Sequence, residues 1–157
     1  MNEKNKYVDP SCIHLLNIRI LKAQFEIMEE QYESDLHLSD FKIGLKSETA
    51  FNYEEKRMRF RLYIKIVGQD DNDEPVGANG EYLLEYSYVI DNLDDFAEEN
   101  EGRKVVSPTL GATVAGISYS TARGIVLGRT QATDFDGVLL PVIDPYSLLG
   151  EDSFSDM

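Results

Sequence analysis

At 157 residues the chain has the length of one ordinary domain, enough to bury a core without disulfide or metal staples. Asp+Glu at 29 against Lys+Arg at 15 gives a formal charge of −14, which repels phosphate backbones and anionic lipid and so excludes nucleic acid and membrane surfaces as expected partners. A hydrophobic content of 42% with 9 Tyr and 7 Phe excludes a disordered chain.

The remaining roles for the charge are solubility and attraction of a basic partner. The single Cys12 rules out an internal disulfide and any Cys/His metal framework, which points to a reducing compartment and to no metal or other cofactor. The opening MNEKNKYVDP has no apolar core of a secretory signal and no transit-peptide composition, so a cytoplasmic protein is expected. The expected organisation is a single domain over residues 1–157, with an ordered core at about 13–150 and flexible ends.

In chain order, LLNIRILKAQFEI is apolar at Leu16, Ile18 and Ile20, then at Leu21, Ala23, Phe25 and Ile27. The change of parity predicts a long strand with one extra residue near Ile20. FKIGLKS places Phe41, Ile43 and Leu45 inward and Lys42 and Lys46 outward, a second strand. RMRFRLYIKIV is the cleanest alternation, with Met58, Phe60, Leu62, Ile64 and Ile66 on one face and Arg57, Arg59, Arg61, Tyr63 and Lys65 on the other. EYLLEYSYVI follows as an aromatic fourth strand, with Tyr82, Leu84, Tyr86, Tyr88 and Ile90 inward. Symmetric pairing about the polar loop GQDDNDEPVGANG brings the Arg/Lys row against Glu81 and Glu85, at roughly 0.2–1 kcal/mol per opposite-charge pair.

Residues 91–106 read as a polar crossing pinned by Leu93, Phe96, Val105 and Val106. The period then changes: Ser107 as N-cap and Pro108 at the first position start a helix of about six turns. Its small residues Gly111, Ala112, Ala115, Gly116 and Ala122 allow close approach, and they are predicted to pack against the sheet and a second copy of the helix. Arg123 and five Ser and Thr hydroxyls from Thr109 to Thr121 argue against a membrane span. Gly137 ends a turn, Pro141 keeps VLLPVI out of a central strand, and Asp144 with Pro145 caps a short second helix, YSLLGE. The expected class is α+β: a four-stranded antiparallel sheet, then one long helix and a short C-terminal helix.

No reaction chemistry is specified. Asp70, Asn72 and Glu74 alternate as in a calcium loop, but Pro75 stands where that loop needs Gly, so a solvated turn is expected. GISYS approaches a nucleophile elbow without its second Gly and lies within the helix. Gly111 to Gly116 has phosphate-loop spacing but is followed by Ile-Ser. His14 and His37 belong to no acid/base set, and the protein is not expected to be an enzyme.

The element order and the last forty residues resemble SecB, the bacterial export chaperone, and its SecB-like relatives. The family's connector reads approximately L-P-P-V-N-F-D-A-L-Y. Here Leu140 and Pro141 match, Val142, Ile143 and Asp144 replace Pro, Val and Asn, Leu148 matches, and Leu149 takes the terminal aromatic position. In the long helix the family's P-Y-A-R-E retains Ala122 and Arg123, while Ser120, Thr121 and Gly124 replace the rest. The resemblance implies an ATP-independent holdase, a dimer or dimer of dimers, holding unfolded or preprotein clients in apolar grooves and passing them to the SecA motor. In the matching elements the groove candidates are Phe41, Ile43, Tyr86, Tyr88, Leu93, Phe96, Tyr146 and Leu149, with ordinary core as the rival reading for the strand residues. A SecB-like chaperone dedicated to one client, such as an antitoxin, is the first alternative. A small-molecule-binding or enzymatic α+β domain is the second.

Overall fold

The computed structural model describes residues 7–28, 39–131 and 137–149, and the backbone of 154–156. Four strands form as the alternation predicts: β1 (Ile13–Ile27), β2 (Asp40–Asn52), β3 (Arg57–Gln69) and β4 (Pro75–Ile90). β2, β3 and β4 are joined by successive hairpins, and β1 returns beside β4, giving the order β1-β4-β3-β2 of a Greek key. Every neighbouring pair of these four is antiparallel. Lys65 stands opposite Glu81 and Arg61 opposite Glu85, as symmetric pairing requires. A three-residue strand, β7 (Phe154–Asp156), adds in parallel to the outer edge of β2 and extends the fold past the expected core.

The loop between β3 and β4 is shorter than its composition suggests, because Asp70 organises it. The Asp70 carboxylate accepts from the backbone N–H of Asn72 and of Glu74, and pairing resumes at Pro75. That carboxylate serves a turn. The polar crossing after β4 is also more ordered than expected. It consists of a 3-10 turn at Leu93–Phe96 and a hairpin of β5 (Ala97–Asn100) and β6 (Arg103–Val106). Glu101 and Gly102 at its tip both have positive φ, as a two-residue type I′ turn demands.

The helix α1 (Pro108–Thr130) crosses β3 on one face of the sheet. Pro108 occupies its first turn, but the Ser107 hydroxyl makes no capping bond; the Ser107 carbonyl instead accepts from Leu110 and Gly111. Val114, Ala115, Ala122 and Val126 close over Phe60, Leu62, Leu84 and Tyr86, all buried. Each such Leu or Val side chain contributes roughly 1.5–3 kcal/mol. Within this layer the Tyr88 hydroxyl meets Ser118 Oγ at 2.7 Å.

This packing corrects the expected oligomer surface. Gly111, Ala112, Ala115 and Ala122 are buried in the chain's own interior. A Cβ on Gly116 would lie 3.3 Å from Pro145 Cγ, so this glycine admits the C-terminal turn. The small side chains bring the helix down onto its own sheet and tail. The face left outward carries Ile117, Ser120, Gly124 and Gly128.

Candidate functional site

An antiparallel partner standing directly opposite shares a face of the sheet. By that rule Ile13, Leu15, Ile18, Ile20, Ala23, Phe25 and Ile27 of β1 share the helix-side face with Ile90, Tyr88, Tyr86, Leu84, Tyr82, Gly80 and Ala78 of β4. The β4 side chains of this set are buried, yet Leu15 and Ile20 are each 41% exposed and Ala23 is exposed as well. An apolar stripe therefore runs along β1 beside the helix, and no described side chain covers much of it. At about 3.3 Å per residue the strand is roughly 50 Å long. Among the described strands β1 pairs with β4 alone, so its outer edge also offers backbone N–H and C=O groups.

Two register shifts shape this stripe. One falls between Ile20 and Lys22, where the change of parity predicts an extra residue, and Leu21 is that residue. The other, between Leu15 and Asn17, makes Leu16 an extra residue rather than a member of the inward set. Adjacent Leu15 and Leu16 hide the shift from the sequence, since either can serve the apolar parity. Both extra leucines are exposed.

Phe41 and Ile43 are half-buried on the helix-side face of β2. Phe25 of β1 reaches across to Phe41, ring centroids 6.5 Å apart and edge-on. Gly80 permits this, because a Cβ there would sit 2.7 Å from Phe25 Cδ2. Four other groove candidates are corrected: Tyr86, Tyr88, Leu93 and Phe96 are at most 2% exposed and belong to the core. Tyr86 and Tyr88 lie in the central layer that α1 closes over, and Leu93 and Phe96 turn inward from the 3-10 turn to seal it. Burial pushes the Tyr88 phenol up to about 12, with the Ser118 hydroxyl opposing, and burial raises Tyr86 as well.

Tyr146 is exposed and Leu149 half-buried at the end of the connector. The expected second helix is a single 3-10 turn, Pro145–Leu148, whose Tyr146 N–H donates to Asp144 Oδ1 at 3.0 Å. The connector itself is fastened to α1. Arg123 Nε donates to the Leu140 carbonyl at 2.9 Å, the Tyr119 hydroxyl to the Pro141 carbonyl, and the Val138 N–H to Thr130 Oγ1 at 2.7 Å. Arg123 and Leu140, which carry the family resemblance, thus meet in one hydrogen bond, while Pro141 beside them is held by Tyr119. Val138 and Leu140 point into the core, leaving Leu139 and Val142 outward, Val142 83% exposed. Alternation identifies Leu139 as outward but not Val142, which has the parity of the inward Val138 and Leu140 and turns out only because the backbone changes direction at Pro141.

The opposite face of the sheet is charged. Lys42 and Lys46 of β2, Arg57, Arg59, Arg61 and Lys65 of β3, and Arg19 and Lys22 of β1 share it, more than half of the chain's 15 Lys and Arg. Glu48, Arg61, Glu85 and Arg19 form one row of alternating sign across four strands. Glu85, nearly buried, accepts from Arg61 Nε at 2.7 Å and Arg19 Nη1 at 3.3 Å, and its carboxylate raises the Arg61 guanidinium further. The chain's excess acidity therefore lies away from this face.

His14 Nε2 meets Asp91 Oδ2 at 2.8 Å on the surface, a structural pair, while His37 lies outside the described residues. Among the described residues no group of three or more His, Cys, Asp or Glu side chains could hold a metal ion. No described helix is long and apolar enough to cross a membrane.

No protein-family model matches the sequence, and no curated protein matches it. Among solved structures, the Mycobacterium tuberculosis SecB-like chaperone Rv1957, in complex with a ChAD peptide from the Rv1956 HigA1 antitoxin, is similar at a TM-score of 0.53 and 14% identity. The match covers 85% of this chain and 91% of that one. A Streptococcus agalactiae protein of unknown function is similar at a TM-score of 0.41 and 10% identity, over 83% of this chain and 97% of that one. The chain has the SecB-like fold.

Proposed function

We propose that this protein is an ATP-independent chaperone that holds a dedicated client, such as an antitoxin, in an extended form along β1. The observation that carries the reading is the apolar stripe of Leu15, Ile20 and Ala23, exposed beside an unpaired strand edge. A client segment gains backbone hydrogen bonds from such an edge and burial from the stripe, the recognition mode of strand addition. Phe41 and Ile43, with Phe25, extend the apolar surface at one end of the sheet, while Tyr146 and Leu149 lie on the connector beside β2, across the sheet from β1. The solved chaperone of this fold holds an antitoxin peptide, which favours a dedicated client over general export. The net acidity suggests attraction of a basic partner, but the broad face of the sheet is basic.

Self-association belongs to the same reading. A second copy packs on the outward helix face, at Ile117, Gly124 and Gly128, where a Cβ on either glycine would meet nothing within 4 Å. The test is light-scattering mass together with suppression of aggregation of reduced insulin and of an antitoxin candidate chosen from the neighbouring genes, each at stoichiometric ratio without ATP. An oligomer that keeps the antitoxin soluble, and loses this ability in a Leu15→Ser/Ile20→Ser variant of unchanged melting temperature, supports the reading. Protection of insulin alone returns the choice to general export. Protection of neither removes the chaperone assignment.

A further inference from the structure

The charged face of the sheet holds a hollow that client holding does not use. Lys22, Lys46 and Lys65 surround it, Tyr63 and Leu83 form its apolar wall, Glu81 stands on one side, and its volume is about 320 Å³. It exists because Gly44 carries no side chain opposite Lys65 on β3, and a Cβ there would reach only ordinary contact, 3.8 Å from Lys65 Cβ. Lys46, Tyr63, Leu83 and Lys22 stand opposite one another in a single row from β2 to β1. With strands about 4.8 Å apart, the row places a cation at each end of an aromatic and aliphatic centre roughly 14 Å long.

The charges are not cancelled within the hollow. Lys22 binds Glu81, whose carboxyl is held below its ordinary range by that hydrogen bond and by the charges of Lys22 and Lys65. Lys46 makes no ion pair with any described residue. Three lysines face one glutamate in a chain of formal charge −14, so positive potential is concentrated here. An approaching acidic group is guided to this face of the sheet and repelled by the acidic remainder of the surface.

We propose that the hollow docks a short acidic segment of a partner protein, in which carboxylates flank an apolar side chain. The apolar side chain lies over Tyr63 and Leu83, and the carboxylates meet Lys46 and Lys65. A nucleic acid fits poorly, because its phosphates repeat along the whole strand and would meet Glu81 at the side of the hollow and Glu48 beyond it. A short segment needs only the one row.

The experiment is fluorescence anisotropy on the full chain with three probes: a labelled peptide alternating Glu and Leu, the same peptide with Gln for Glu, and a short oligouridylate. The Glu peptide is expected to bind, with affinity falling as salt rises from about 50 to about 200 mM. The Gln peptide and the RNA are expected to bind at least about tenfold more weakly, the discrimination a desolvated charge contact gives. Lys46→Glu/Lys65→Glu should cost at least about tenfold, and Gly44→Phe, which fills the hollow, a similar amount. Lys46→Met provides a milder charge removal at an exposed site should either fail to fold. Leu15→Ser/Ile20→Ser should leave this binding unchanged, which separates it from client holding. Tighter RNA binding, peptide binding that survives charge reversal, or a mass that falls on charge reversal, assigning the face to a second copy, would each overturn the proposal.

Discussion

Ser118 and Tyr88 show how a single buried polar contact is placed to hold two layers together. Ser118 Oγ is fully buried on α1 and meets the Tyr88 hydroxyl of β4, 2.7 Å away. Ser118→Ala leaves a buried phenol without a partner and is expected to cost about 1–3 kcal/mol in a urea titration. Adding Tyr88→Phe removes the orphaned hydroxyl and should restore most of the loss. The same phenols set an alkaline limit. Tyr88 ionises near 10 when unfolded and near 12 when folded, so between those values the unfolded state binds fewer protons and stability falls as pH rises. The contribution is intact below pH 10, and Tyr86, raised by burial, acts in the same direction. Urea midpoints should therefore be steady from about pH 8 to 9.5 and decline at about 10.5 and above.

Among the elements, the connector after α1 depends most on one side chain. Arg123 Nε holds the Leu140 carbonyl at 2.9 Å, with Tyr119 and Thr130 fastening the residues on either side. Arg123→Met retains the aliphatic stem and deletes the donor; it should cost about 1.5–3 kcal/mol and expose the segment 138–149 to protease before the rest of the chain. Sequence pattern made the strands legible because β3 and β4 bury one parity without interruption, and their charge pairs then fixed the register. The connector was legible through Pro141 and the Asp144-Pro145 cap. Burial was not. Periodicity states which side chains share a face but not which element covers it, so Tyr86 on β4 and Leu15 on β1 read alike although α1 covers only the first. The helix glycines failed for the same reason: their spacing signals close approach without naming the surface that approaches.

The whole molecule has two faces of opposite chemistry. One side of the sheet is apolar, covered by α1 over its centre and exposed along β1; the other carries most of the basic side chains of an acidic protein. This division separates the proposed client surface from the proposed docking hollow, and a variant of either face should leave the other's binding intact. Ionic strength should discriminate them too: apolar capture by β1 should change little from about 50 to about 200 mM salt, where binding at the Lys46 hollow weakens.

The direct measurement is backbone hydrogen exchange of the full chain, alone and with a client whose aggregation it suppresses. Strand addition over an apolar stripe predicts that the amides of residues 13–27 exchange more slowly in the complex, with the core strand β3 unchanged. A complex in which β1 exchanges at its free rate, with protection appearing elsewhere, would contradict the placement of the client.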